Sequence, residues 1–187
     1  MFINSINDNL LKHSFYISYM LFITTGTITL IEALRTNDDK IRHIMNIETC
    51  ISIIAGVFYG RFIKMIEEGI DFKKINELRY LDWFTTTPLM LLGLGLVFTY
   101  NLKISFKLKS FLIMILLNFG MLIFGYLGEI GKINKQFATL GGFILLAFLY
   151  YYIYSTFIKN KKVIQNTVVY LIFLIFWSIY GTVKCLI

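Results

Sequence analysis

Apolar stretches of about twenty residues, separated by short charged segments, run along the whole chain and constrain its fold more than any other feature. A helix needs roughly twenty apolar residues to cross about 30 Å of hydrocarbon. Lipid offers the backbone no hydrogen-bond partner, so such stretches are expected to form helices rather than strands of an open sheet. Six stretches can be marked, at residues 14–34, 44–64, 79–100, 110–127, 137–158 and 168–187. The sequence therefore predicts an all-α membrane protein with six transmembrane helices.

The composition favours the same interpretation. Of the 187 residues, 57% are hydrophobic and only 16% are charged, so a soluble domain of this size would have too little polar surface. The connections are too short to hold a second domain, which predicts a single transmembrane domain over residues 1–187. Residues 1–13 lack the ordered regions of a signal peptide, so the first helix is expected to remain as an anchor.

The charges in the connections predict an orientation. Basic residues dominate the connections after the first, third and fifth helices, where only Asp38 and Asp39 oppose them. They are Arg35, Lys40, Arg42, Lys103, Lys107, Lys109, Lys159, Lys161 and Lys162. These connections are therefore expected to be cytoplasmic and the N-terminus extracellular. Most of the net charge of +7 would then face anionic lipid of the bilayer, and a nucleic-acid partner is not needed to explain it.

The third stretch places polar side chains on one helical face. At 100° per residue, a single stripe holds Arg79, Asp82, Trp83, Thr86 and Met90. A carboxylate near the centre of a spanning helix costs about 2.5 to 3.5 kcal/mol, so it normally points into the bundle and has a partner. A functional acid is favoured, and a structural ion pair between the carboxylate and the arginine is the alternative.

The lone proline of the chain lies in the same helix. Pro88 removes one backbone hydrogen bond and frees the carbonyl of Phe84. Membrane helices tolerate this where nearby hydroxyls satisfy the freed group, and Thr85, Thr86 and Thr87 are expected to do so.

Residues 79–89 read Arg-Tyr-Leu-Asp-Trp-Phe-Thr-Thr-Thr-Pro-Leu. This string is similar to the third helix of microbial rhodopsins, seven-helix proteins that bind retinal as a protonated Schiff base on a lysine of helix seven. The resemblance implies that Asp82 is the counterion and primary proton acceptor and that Arg79 is its electrostatic partner. It also implies that Trp83, Thr86 and Thr87 line the retinal pocket.

Gly93 occupies the third position of the motif that begins with Asp82 and Thr86, where outward proton pumps usually hold an acid. Carboxylate-assisted reprotonation from this position is therefore excluded, which favours a channel, a slow pump or a sensor over an efficient pump. Glu48, about one turn into the second helix, either extends to the membrane interface or points inward as a proton donor or gate. Both alternatives stay open.

Other helices carry weaker matches to the family. Asn118, Met121 and Gly125 resemble the ring-contacting face of the fourth helix, and Trp177, Tyr180 and Gly181 resemble the pocket of the sixth. Tyr59 matches a tyrosine near the Schiff base, and Gly141 and Gly142 could leave room for the ionone ring. Ordinary packing is the alternative for each and is favoured for the two glycines. The thiol of Cys50 is expected to be buried as a small apolar group rather than in a metal site.

The resemblance covers helices one to six, and the sequence ends at Ile187 without the seventh helix of the bundle. Lys184 is the only lysine in the last apolar stretch, but its spacing from Trp177 places it on helix six. No Schiff-base lysine can therefore be assigned, and an incomplete sequence or a split gene is the expected explanation.

Two functions follow from these expectations. The first is a light-driven ion transporter or light-gated channel, not an enzyme, which binds all-trans retinal in its full-length form and moves protons or other cations, alone or as a homo-oligomer. The alternative is a truncated, non-photoactive six-helix subunit with a structural or interaction role. The short loops resemble those of the compact rhodopsins of large algal viruses.

Overall fold

The computed structural model describes the backbone of residues 2–69, 72–159, 161 and 163–186, and the side chains of residues 12–69, 74–159, 161 and 163–179. The described residues form six α-helices and no β-strand. The helices are α1 Phe2–Arg35, α2 Asp39–Glu67, α3 Phe72–Leu102, α4 Leu108–Glu129, α5 Lys135–Ile153 and α6 Ile164–Leu186. A π-helical turn, Tyr154–Ile158, continues α5. The predicted all-α architecture is confirmed.

The predicted helix boundaries were too narrow. α1 begins at Phe2 rather than at residue 14, and α3 begins at Phe72 rather than at residue 79. Hydropathy marks only the part of a helix that matches hydrocarbon, whereas polar residues extend or cap its ends. At the start of α2, for example, the Asp38 carboxylate accepts hydrogen bonds from the backbone N–H groups of Lys40 and Ile41, at 2.8 and 3.3 Å.

Five helical segments are long and apolar enough to cross a membrane, and the described part of α6 contributes a shorter apolar segment, Ile164–Ile179. The spans lie at Lys12–Arg35, Asp39–Glu67, Lys74–Leu102, Leu108–Glu129 and Lys135–Ile158. The chain is therefore an integral, multi-pass membrane protein.

Internal contacts divide the chain into two compact units, one up to Met90 and one from Leu91 onward. In the first unit, α1 packs closely on α2. A Cβ added to Gly26 would lie 3.2 Å from the Cβ of Ser52. The Thr29 and Thr49 hydroxyls form a hydrogen bond of 2.8 Å between the same two helices. Small residues and paired hydroxyls thus hold this pair together, as is usual between membrane helices. The core of this unit is formed by Phe15, Phe62, Ile63, Met65 and Ile75.

In the second unit, an apolar cluster joins the end of α3 to α4, α5 and α6. Its buried members are Leu91, Phe98, Met114, Leu149, Ile153, Phe157, Ile158 and Tyr170. The helices α4 and α5 approach closely where a Cβ added to Gly141 would lie 2.8 Å from the ring of Phe124. Gly142 faces the backbone oxygen of Met121, at 3.7 Å from an added Cβ. At both glycines the neighbouring space is thus taken by α4, in line with the packing alternative.

One expectation about packing was wrong. Cys50 is exposed on α2 rather than buried. Its neighbours in sequence, Thr49 and Ile51, are buried, but Cys50 points 100° away from each of them, towards the exposed face of the helix.

Candidate functional site

The turn of α3 around Asp82 forms the centre of the candidate site. Asp82 is only 4% exposed, and Thr86, one turn later, is equally buried. On the predicted stripe, Arg79, Trp83 and Met90 are half-buried, whereas Thr85 is exposed on another face. The carboxylate therefore lies on the covered side of the helix, where a charge is costly without a partner.

Among the described residues, no hydrogen-bond donor lies in range of the Asp82 Oδ1 atom. The Arg79 guanidinium instead lies over the ring of Trp83, with its Cζ atom 5.4 Å from the ring centroid. The ring of Tyr80 meets the same indole edge-on, at 4.9 Å between centroids. The arginine and the indole thus lie beside the Asp82 turn, and the ion pair between Arg79 and Asp82 stays open as an alternative.

The threonines before Pro88 bond to carbonyls of the preceding turn. The Thr85 hydroxyl donates to the carbonyls of Leu81 and Asp82, at 2.7 and 2.8 Å. The Thr86 hydroxyl also donates to the Asp82 carbonyl, at 2.7 Å, and Thr87 donates to Trp83 at 2.6 Å. A helical threonine hydroxyl reaches the carbonyl three or four residues earlier, so the expected bond to the Phe84 carbonyl stays a prediction for Thr87, which lies three residues after it. The effect of these hydroxyl bonds is to secure the backbone of the Asp82 turn.

The remaining pocket candidates lie in the second unit. Met121 and Gly125 are half-buried on α4, and Asn118 is fully buried there. Trp177 of α6 packs against Phe173 at 4.4 Å between ring centroids. The side chains of Tyr180, Gly181 and Lys184 lie outside the described residues.

Three further candidates take distinct environments. Glu48 is exposed on α2, next to the buried Thr49. Gly93 is half-buried within α3. Tyr59 packs in an aromatic group, 5.0 Å from the ring of Phe22 and 5.6 Å from that of Phe62. The surroundings of Tyr59 thus combine aromatic packing with electrostatic interactions with Arg79 and Asp82 of α3.

Sequence reasoning missed Asn166, which is almost completely buried in the first turn of α6. The predicted sixth helix began at residue 168, so this residue fell in a loop. The available signal was an asparagine directly before an apolar stretch. This signal is weak, because an asparagine in a loop and one buried at the start of a helix differ only in their tertiary contacts.

The described part of the chain thus combines membrane-spanning helices with a buried carboxylate oxygen, Asp82 Oδ1, that has no hydrogen-bond partner there. A family model described as "Bacteriorhodopsin-like protein" matches residues 9–186. The chain therefore belongs to this family of microbial rhodopsins, as its third helix indicated.

Two crystal structures show how far the similarity extends. Viral rhodopsin OLPVRII is 43% identical in sequence, with a TM-score of 0.87 over 92% of this chain and 82% of that one. This match confirms the viral subgroup. A blue light-absorbing proteorhodopsin from Med12 is 19% identical, with a TM-score of 0.74 over 92% of this chain and 77% of that one, and shows the fold alone. No curated protein matches the chain.

Members of this family bind retinal as their chromophore and are, in general, light-driven ion transporters or light-gated channels. The residues present fit that cofactor, because the buried Asp82 oxygen can accept a hydrogen bond from a positively charged group that the described residues do not supply. A buried carboxylate oxygen without a hydrogen bond is otherwise unfavourable.

Proposed function

We propose that the protein is a light-driven ion transporter or light-gated channel for protons or other cations, in which Asp82 is the counterion and proton acceptor. One observation carries this proposal. The Asp82 carboxylate is buried, and its Oδ1 atom has no hydrogen-bond donor among the described residues. A carboxylate at 4 Å from a cation gains roughly 4 kcal/mol at an effective dielectric constant near 20, enough to bias where a proton resides.

The residues of α3 would act together in this role. Asp82 holds the negative charge and accepts a proton, while the hydroxyls of Thr85 and Thr86 secure its backbone carbonyl. Arg79, placed over Trp83, contributes positive charge to the same turn. Retinal, when bound, supplies light absorption, a change of shape and a positively charged end that carries a transferable proton.

We assign Trp83, Thr86, Thr87, Met121, Gly125 and Trp177 to the retinal pocket on the family resemblance, together with Tyr180 and Gly181. The burial of Thr86 and Thr87 supports their part in it. No carboxylate can act from position 93, so protons would return through water or through Glu48. The exposed position of Glu48 supports a role at a water-accessible entry rather than within a closed interior.

The orientation is proposed on the charge bias alone, with the N-terminus extracellular and the basic connections after α1, α3 and α5 cytoplasmic. Of the basic residues in these connections, Lys103, Lys107 and Lys109 are exposed, as charges facing lipid head groups require.

The decisive experiment adds all-trans retinal to membranes that contain the full-length gene product and measures visible absorption. A visible band, followed by photocurrent under voltage clamp, is the expected result. Current that reverses with membrane potential identifies a channel, and current of one sign identifies a pump. If no band forms, the non-photoactive structural subunit becomes the better interpretation.

A further inference from the structure

Asn166 lies in the first turn of α6 and is 1% exposed, although its surroundings are apolar. Phe98 of α3 is fully buried beside it, and Tyr170 lies one turn later in the apolar cluster of the second unit. A primary amide in such a place is unfavourable unless its donors and its acceptor are paired.

Both ends of the Asn166 amide bond to the last turn of α3. Its Nδ2 atom donates to the Phe98 carbonyl at 3.1 Å, and its Oδ1 atom accepts from Asn101 Nδ2 at 2.8 Å. Two carbonyls of that turn have other backbone partners. Lys103, with a positive φ of 54°, donates to the carbonyl of Tyr100, and Ile104 donates to that of Thr99. The bonds of Asn166 to Phe98 and Asn101 connect α3 with α6.

The chain just before α6 has an irregular backbone. The π-helical turn Tyr154–Ile158 ends α5, and its residues Phe157 and Ile158 are buried in the same apolar cluster. π-Helical turns are rare overall, and those that occur are often found at functional sites. The first turn of α6 is therefore bonded to α3 by a short polar connection. Earlier in the chain, it is preceded by a π-helical turn.

A buried amide pair of this kind has two stable conditions. It is either closed and dry, with both bonds made, or open, with water in place of the lost partner. Intermediate separations leave polar groups unpaired in apolar surroundings and are disfavoured. The connection between Asn166 and Asn101 is therefore expected to be either closed or open, and not to occupy an intermediate separation.

We propose that Asn166 and Asn101 form a latch between α6 and α3 that excludes water from this end of the second unit and, when open, admits the water through which protons reach the interior. This rests on the proposed function, since α3 carries Gly93 in place of an acidic donor. Asn166 is in this sense a positioning residue that sets the rate of reprotonation.

The first test uses the full-length protein in lipid nanodiscs, in the dark and without retinal. Hydrogen exchange is measured at the backbone amides of residues 99–102 and 168–170. Asn166→Leu, which removes both bonds, is expected to speed exchange about eightfold, and Asn101→Leu, which removes one, about threefold. Gln165→Leu is the matched control, because Gln165 is the exposed neighbour on α6 and its replacement is expected to change nothing. Unchanged exchange in Asn166→Leu overturns the latch.

The second test measures recovery of the dark state after a flash in the retinal-loaded protein. Asn166→Leu is expected to change the recovery rate at least about threefold, in line with its exchange effect. Faster exchange with unchanged recovery overturns the role in water access. A missing visible band in the parent protein would instead be a failure of the proposed function, and the exchange measurement would still decide whether the latch exists.

Discussion

α3 carries two buried polar regions that differ in whether their polar groups are hydrogen-bonded. Near its start, the Asp82 Oδ1 atom has no hydrogen-bond donor within the described part of the chain. Near its end, the Phe98 carbonyl and the Asn101 amide are both bonded to Asn166. The polar groups of the second region are hydrogen-bonded to one another and stabilise the fold. The unbonded Asp82 oxygen in the first region lowers the stability of the protein. A sequence that violates polar pairing at one place usually does so for function. The contrast supports the proposed counterion role of Asp82.

Replacing Asp82 tests this contrast most strongly. In the retinal-loaded protein, Asp82→Asn removes a charge interaction of roughly 4 kcal/mol. The absorption maximum is therefore expected to move to longer wavelength, and light-driven proton transfer to Asp82 is expected to stop. Absorption spectroscopy and photocurrent measure the two effects.

The matched control is Asp39→Asn. Asp39 is also a carboxylate on an α-helix, but it is exposed and paired with Arg42 at 2.7 Å. Its replacement is expected to leave the spectrum unchanged, because surface ion pairs contribute little. An unshifted spectrum in Asp82→Asn would remove Asp82 from the counterion role.

Stability without retinal should change in opposite directions at the two regions. Asp82→Asn is expected to stabilise the retinal-free protein by about 1 kcal/mol or more, because it removes a buried charge that has an unsatisfied oxygen. Asn166→Leu is expected to destabilise it by about 1 kcal/mol, the usual strength of two hydrogen bonds between membrane helices. Thermal unfolding in detergent measures both. If both replacements lower the melting temperature, the Asp82 turn is a structural element like the other and the contrast is lost.

Much of this arrangement could be predicted from sequence because it is local. The apolar stretches located all six helices, since the thickness of hydrocarbon sets the length of a spanning segment. Helical periodicity placed Asp82 and Thr86 on one face, and both are buried. The string around Pro88 identified the family, because it combines residues that seldom occur together in an apolar helix.

The parts that sequence did not reveal depend on contacts between distant residues. The predicted sixth helix began after Asn166, because an amide in a loop and one bonded to another helix look alike in sequence. The ring that fills the space beside Gly141 belongs to Phe124 of the preceding helix. The hydroxyls of Thr85 and Thr86 could have been predicted to reach the Asp82 carbonyl, because a helical threonine bonds three or four residues back along the chain.

The smallest expected effect separates two ways in which threonines could influence the Asp82 turn. Thr85 and Thr86 donate to the same Asp82 carbonyl, at 2.8 and 2.7 Å, but Thr85 is exposed and Thr86 is buried. Valine keeps the shape of each side chain and removes the hydroxyl, at a cost of about 0.5 to 1.5 kcal/mol for one hydrogen bond. Thr86→Val is expected to shift the absorption maximum by a fraction of the Asp82→Asn shift, and Thr85→Val is expected to leave it unchanged.

This pair is informative because both variants lose a bond to the Asp82 carbonyl while their side chains lie on different faces of the helix, and Thr85 loses a bond to Leu81 as well. Different spectra would mean that Thr86 acts through its side chain as part of the retinal pocket. Equal shifts would mean that both threonines act through the backbone of Asp82, and Thr86 would then leave the set of pocket residues. The counterion role of Asp82 would survive that result, because it depends on the carboxylate and not on the hydroxyls behind it.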